Sequence, residues 1–184
     1  MKSERLMIAS DIHGDARTTE LLIERFEKSG ARKLILLGDI LYHGPRNDLP
    51  EGYSPKRVIG LLNPLAEKIL CVRGNCDTEV DQMVLEFPIL ADYACLMTDG
   101  LRIFITHGHR FNTQTPPPLA KGDILLHGHT HVPAWQSFGQ DNLYVNPGSL
   151  SIPKENSQKG YILYEARRFD FCSLDGEVYR SESV

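Results

Sequence analysis

Five apolar runs in this chain end in the same way, and that recurrence limits the possible folds more than any other feature of the sequence. LMIAS (6–10) runs into Asp11-Ile12-His13 and LILLG (34–38) into Asp39. ILCVRG (69–74) leads to Asn75, RIFIT (102–106) to His107, and ILLHG (124–128) to His129-Thr130-His131. Short apolar runs of this kind read as buried strands. Behind each stands an oxygen or nitrogen donor, so neighbouring strands would collect the donors at one end of a sheet.

Between the first three runs lie helical patterns. Ala16 to Ser29 places Leu21, Leu22 and Phe26 on one face and stops at Gly30, and Ser54-Pro55 starts a second helix carrying Val58, Ile59, Leu61 and Leu62. From about Pro88 onward strands dominate, with hairpin signals at Asp99-Gly100 and Asp175-Gly176. The expected class is α/β, with two mixed β-sheets packed face to face and helices outside, in a single domain spanning 1–184. The loop His43 to Tyr53 and the run Pro116-Pro117-Pro118 read as surface loops.

In an extended segment residues i and i+2 project to one side, so Asp11 with His13, and His129 with His131, can each aim two donors at a shared volume. Gly38, Gly74 and Gly128 permit sharp backbone paths. Each piece alone has a plainer reading. Asp11 can cap the following helix, Gly38-Asp39 and Gly74-Asn75 can be turns with Asp77 capping the next helix, and His107 and His109 can form a polar strand end. The pair His129 and His131 behind a buried strand is harder to explain without partners.

Taken in order, DIH (11–13), GD (38–39), GNCD (74–77), THGH (106–109) and GHTH (128–131), with NPGS at 146–149, resemble the calcineurin-like metallophosphoesterases. The small size, GNCD where many relatives have GNHD, and the loop HGPRNDLPEGY resemble more narrowly the YfcE-type bacterial phosphodiesterases. The resemblance implies an αββα sandwich and two divalent ions, most often Mn²⁺, with Fe, Zn or Mg as alternatives. One ion would be held by Asp11, His13, Asp39 and His131, the second by Asp39, Asn75, His107 and His129, with Asp39 bridging. All seven are O or N donors, which suits such metals and disfavours soft ones. The reaction implied is hydrolysis of a small phosphodiester by direct attack of a hydroxide bridging the ions, without a covalent phosphoenzyme. Two dications against two aspartates leave positive charge for an anionic substrate, although the chain carries a net −4.

Asp39, Asn75, Cys76 and His109 are the candidate catalytic residues. Cys76 replaces a proton-donating histidine with a weak donor, which would favour diesters with good leaving groups over monoesters; the alternative is that it packs beneath its loop. His109 can reach substrate or bond to a ligand, and His127 supports the site or packs on its strand. His43, Arg46 and Asn47 lie near the cleft or in a solvated loop. Arg73 and Arg110 contact phosphate or make surface salt bridges. Asn146 shapes a turn, and Trp135 belongs to the core.

The four cysteines form no CxxC pair, the N-terminal segment MKSERLMIAS lacks a leader pattern, and no stretch has the length of a membrane span; a cytoplasmic setting is expected. Without a basic stripe, stable nucleic-acid binding is not expected, while a homo-oligomer is open. Two competing readings are a non-catalytic scaffold of the same fold that binds protein, and a nuclease of the same superfamily. All seven ligand positions are filled, against the first, and no DNA-capping segment is evident, against the second.

Overall fold

The computed structural model describes residues 4–184; Met1 to Ser3, the start of the segment MKSERLMIAS, lie outside the described residues. Strands β1 (Leu6–Ala9), β2 (Lys33–Leu36) and β3 (Ile69–Cys71) pair in parallel. Helix α1 (Ala16–Ser29) links the first two, and α2 (Pro55–Leu62), with a 3-10 segment at Asn63–Lys68, leads to the third. Three antiparallel strands, β9 (Gly160–Glu165), β10 (Arg168–Ser173) and β11 (Val178–Ser183), extend this sheet from β1, giving the order β11-β10-β9-β1-β2-β3. The second sheet contains β4 (Tyr93–Thr98), β5 (Leu101–Thr106), β6 (Ile124–Leu126), β7 (Ala134–Phe138) and β8 (Asn142–Asn146), in the order β4-β5-β6-β8-β7. Its three central strands are parallel and its edges antiparallel. The expected α/β fold of two sheets with flanking helices is the one that forms.

The alternation along β1 shows why. Leu6 and Ile8 enter the cluster between the sheets, where they meet Ile103, Ile105, Ile124, Leu126 and Val145. Met7 and Ala9 face the other way, into a cluster with Leu22 and Phe26 of α1 and Val58 and Leu62 of α2. A strand buried on both faces must be apolar throughout. Each fully buried Leu or Ile contributes about 1.5–3 kcal/mol.

Helix α1 has the predicted limits. Gly30 closes it in the left-handed region at φ 73°, and the Asp15 side chain accepts from Thr18 N at its start. Asp11 therefore does not cap this helix. Nor does Asp77 cap the short α3 (Glu79–Gln82), which Thr78 caps in a reciprocal box with Asp81. Asp99-Gly100 and Asp175-Gly176 make the expected β4–β5 and β10–β11 turns.

No described helix is long and apolar enough to cross a membrane.

Candidate metal centre

All five donor-bearing runs belong to parallel strands, and their donors follow the carboxyl ends of β1, β2, β3, β5 and β6, the end of a parallel sheet where ligands collect. Five of the seven donors are not on extended backbone, as simple alternation would have them. Asp11, His13, Asp39, His129 and His131 have φ of 57°, 48°, 56°, 67° and 62°. Each thus occupies the left-handed region, which Asp and His tolerate better than most side chains and which costs on the order of 1–3 kcal/mol. The i, i+2 pairs converge because each loop turns twice in that region.

The glycines serve by their lack of a side chain. A Cβ on Gly74 would lie 2.8 Å from Asp39 Cγ and closer still to Asp39 Oδ1 and N, and one on Gly128 would lie 2.6 Å from Asp11 Oδ2. Only Gly38 of the three also requires positive φ, at 94°.

The side chains form a continuous set of close approaches. Asp11 Oδ1 lies 3.2 Å from His131 Nε2 and 3.6 Å from His13 Nε2. Asp39 Oδ2 lies 3.7 Å from His13 Nε2 and 3.4 Å from His107 Nε2. His107 Nε2 in turn faces Asn75 Oδ1 and His129 Nδ1, each at 3.1 Å. The structure thus brings all seven expected donors together, with Asp39 in contact with both halves.

Each carboxylate is held by one oxygen and offers the other. Asp11 Oδ2 accepts from Ser10 Oγ at 2.6 Å and from His129 N at 3.0 Å, whereas Oδ1 is buried with no hydrogen-bond partner among the described residues. Asp39 Oδ1 accepts from Cys76 N at 2.8 Å, leaving Oδ2 to face the histidines. The rings are fixed in the same manner. Nδ1–H of His13 donates to Tyr42 O (2.8 Å), that of His107 to Leu37 O (2.7 Å) and that of His131 to Ile152 O (2.6 Å). Such bonds select the tautomer whose Nε2 lone pair is free.

Free lone pairs then point at one another. His13 Nε2 and His131 Nε2 are 3.3 Å apart, and His107 Nε2 confronts the Asn75 oxygen. With an orphaned carboxylate oxygen beside them, these donors fit a divalent cation on each side of Asp39. Without a cation a proton takes that place: burial opposes charge on His107, yet its hydrogen bond to Asp39 and the charges of Asp11 and Asp39 raise it to about 9, so a divalent ion would bind there by displacing a proton. Burial likewise opposes ionisation of Asp11, but His13 and His131 hold its carboxyl well below the usual range. Triads within 4.8 Å are Asp11-His13-His131, Asp11-Asp39-His107 and His13-Asp39-Cys76. Burial and the nearby Asp39 charge drive the Cys76 thiol upward, so it is protonated before any cation arrives.

Further out, the residues separate. Cys76 lines a cleft of about 290 Å³ with His13, Asp39, Asn75, His129 and His131, and its Sγ lies 3.2 Å from Asn75 Nδ2. His109 is beside the centre, its ring 5.4 Å from that of His107, and burial together with His107 lowers it to about 4. His127 stacks on Tyr144 at 4.2 Å, bonds through Nδ1 to Gly128 O and has no partner at Nε2 among the described residues. His43 packs edge-on between Tyr42 and Tyr53, while Arg46 and Asn47 line the cleft. Arg110 pairs with Asp92 at 2.7 Å, and Arg73 bonds to Asp77 O and approaches Glu79. Trp135 packs against Phe169 at the inter-sheet core.

Two supports were not legible in the sequence. The buried Asp77 carboxylate accepts from the backbone N of Asp39, Ile40 and Gly74 at 2.8, 2.8 and 2.7 Å, tying the loops after β2 and β3 together. Asn146 shapes its turn by accepting from Gly148 N, as expected, but also donates to Gly128 O and Thr130 Oγ1. Ser149 and Ser151 both donate to Asp11 O. The GHTH and DIH loops therefore share one brace.

Comparison with known proteins gives a consistent result. The model of the calcineurin-like phosphoesterase superfamily domain matches residues 5–168. Phosphodiesterase YfcE of Escherichia coli (strain K12) is 50% identical over 157 residues, 85% of each chain. The solved structure of Yfce, a phosphoesterase from E. coli, superposes with a TM-score of 0.93 and 44% identity over 98% of this chain and 99% of that one. A phosphodiesterase of Methanocaldococcus jannaschii is 26% identical over 152 residues, 78% of this chain and 82% of the other.

Proposed function

The chain belongs to the calcineurin-like phosphoesterase superfamily, in its YfcE-type group, and from that premise we propose that it is a two-metal phosphodiesterase acting on small diesters. Asp11, His13, Asp39 and His131 would hold one divalent ion and Asp39, Asn75, His107 and His129 the other. Manganese is the first metal to test, with Fe, Zn and Mg compatible with the same O and N donors. Two such ions supply Lewis acidity at the phosphoryl oxygens and a water of depressed pKa. The observation that carries this reading is Asp39 Oδ2 standing between His13 Nε2 and His107 Nε2.

The chain's own residues have narrower tasks. Asn75, tied to Cys76 and facing His107, orients its amide toward the cleft. Cys76 is the only thiol lining that cleft and is held protonated, which supports in-line displacement by water over a covalent phosphoenzyme. His109, lowered to about 4 by burial and by His107, is a neutral ring at pH 7 that can exchange a hydrogen bond with substrate but is not an imidazolium acid.

The test is hydrolysis of bis-p-nitrophenyl phosphate before and after chelation. Activity should vanish with the metal, return with Mn²⁺, and be absent in Asp39→Ala. Full activity of the chelated protein, or of Asp39→Ala, overturns the proposal.

A further inference from the structure

Two cations line the cleft, Arg46 and Lys154, and neither has an ion-pair partner among the described residues. Elsewhere Lys and Arg side chains are mostly paired, as in Arg5–Glu165, Arg102–Asp123, Arg110–Asp92 and Lys121–Asp141. Asp39 is the only acidic residue among the cleft-lining side chains, and it is committed to His13 and His107. The neighbouring acids Asp48 and Glu155 are exposed and pair with neither cation.

The loops that carry them are tied to the histidines. His13 donates to Tyr42 O, and Arg46 stands four residues further along that loop, steadied by Asn47 Nδ2 donating to His43 O. His131 donates to Ile152 O, and Lys154 stands two residues beyond. The backbone N of Lys154 donates to His131 O at 3.1 Å, and Lys154 O accepts from Ser157 N and Oγ. Both cations thus belong to the loops whose carbonyls orient His13 and His131, and neither belongs to the loops bearing Asn75, His107 or His129.

We infer that Arg46 and Lys154 form an anion subsite on the rim of the cleft beside the candidate metal centre. It receives a negatively charged group on an ester alcohol of the substrate, so the preferred substrates are phosphodiesters bearing a further anionic group. The inference rests on the phosphodiesterase reading. A diester alone carries a single negative charge, and two unpaired side-chain cations beside the centre exceed what it can neutralise. The Arg46 guanidinium suits carboxylate or phosphate by its paired donors, and Lys154 adds a mobile point charge.

The Mn²⁺-loaded protein is assayed with p-nitrophenyl diesters that share the leaving group and differ in the second alcohol, which is neutral, carboxylate-bearing or phosphate-bearing. At low salt kcat/KM for the charged substrates should exceed that for the neutral one by about five- to tenfold, with the difference in KM and shrinking as salt rises. The larger gain identifies which anion the subsite takes. In the Arg46→Gln/Lys154→Gln double variant the ratio should fall to about one, and Lys56→Gln, an exposed helix cation, should keep it. Calorimetric binding of the non-hydrolysable phosphonate analogues should show the same discrimination without turnover. Equal kcat/KM for neutral and charged diesters in the unsubstituted protein, or a ratio the double variant preserves, overturns the subsite while leaving the phosphodiesterase reading intact. Hydrolysis of none of the three overturns both.

Discussion

Gly74 lies directly against Asp39: a Cβ at position 74 would fall 2.8 Å from Asp39 Cγ and closer still to its Oδ1 and backbone N. The atoms in the way are backbone and a short fixed carboxylate, so neither can swing aside. Gly74→Ala should displace Asp39, costing about 1–3 kcal/mol of stability and most of the metal affinity. Gly60→Ala, in the exposed face of α2 with nothing within 4 Å of the new methyl, should instead stabilise by about 0.5–1 kcal/mol. Chemical denaturation and metal titration of the two variants check both signs.

The three histidines of LLHGHTH should respond unequally. His131 presents Nε2 to Asp11 and His129 presents Nδ1 to His107, whereas His127 packs on Tyr144 with an unpartnered Nε2. Alanine at 129 or 131 should lower metal content and activity at least tenfold, the scale of losing a ligand or its support. His127→Phe keeps the ring stack and should retain metal, with a melting shift of a few degrees. Metal analysis of the purified variants separates the cases.

Cys76 has its thiol held protonated by burial and by the Asp39 charge, and it lines the cleft with His13, Asp39 and Asn75. Cys76→His should raise monoesterase activity relative to diesterase activity, measured as the ratio of kcat/KM on p-nitrophenyl phosphate and its bis ester. An unchanged ratio returns Cys76 to a packing role. Thiol alkylation should label exposed Cys95 well before buried Cys71, Cys76 and Cys172.

Away from the centre, the Arg102 guanidinium bonded to Asp123 holds that carboxyl below its ordinary range. Asp123 also accepts from Ala120 N and so anchors the end of the proline-rich loop to β5. A depressed carboxylate adds stability above its unfolded pKa of about 3.9 and loses it as pH falls through the folded value. Asp123→Asn should therefore be less stable near neutral pH, with the gap closing below about pH 3.9. Urea unfolding from pH 7 to pH 3 measures it.

Much of this was legible because the chemistry follows the strands. Apolar runs and the residue behind each located Asp11, His13, Asp39, Asn75, His107, His129 and His131, and every one reaches the centre. Local conformation was not legible. Simple alternation presumes extended backbone, whereas five of these residues are left-handed, a state that nothing in Asp-x-His or His-x-His announces. The β9–β10 turn at Ala166-Arg167, with φ of 49° and 69°, carries no glycine or asparagine to mark it. Asp77 resembles a helix cap in sequence because a cap is the commonest local use of Asp, but its three acceptor bonds reach 3 to 38 residues away. The two bonds across 37 and 38 residues leave no spacing signal.

The central claim is that Asp39 is shared between two cations. The direct measurement titrates metal-free protein with Mn²⁺ and follows stoichiometry and the electron paramagnetic resonance spectrum. Two ions per chain with a spin-coupled multiline signal, replaced in Asp39→Ala by weak uncoupled binding, is the predicted result. One ion per chain, or two that remain magnetically independent with Asp39 intact, would contradict it.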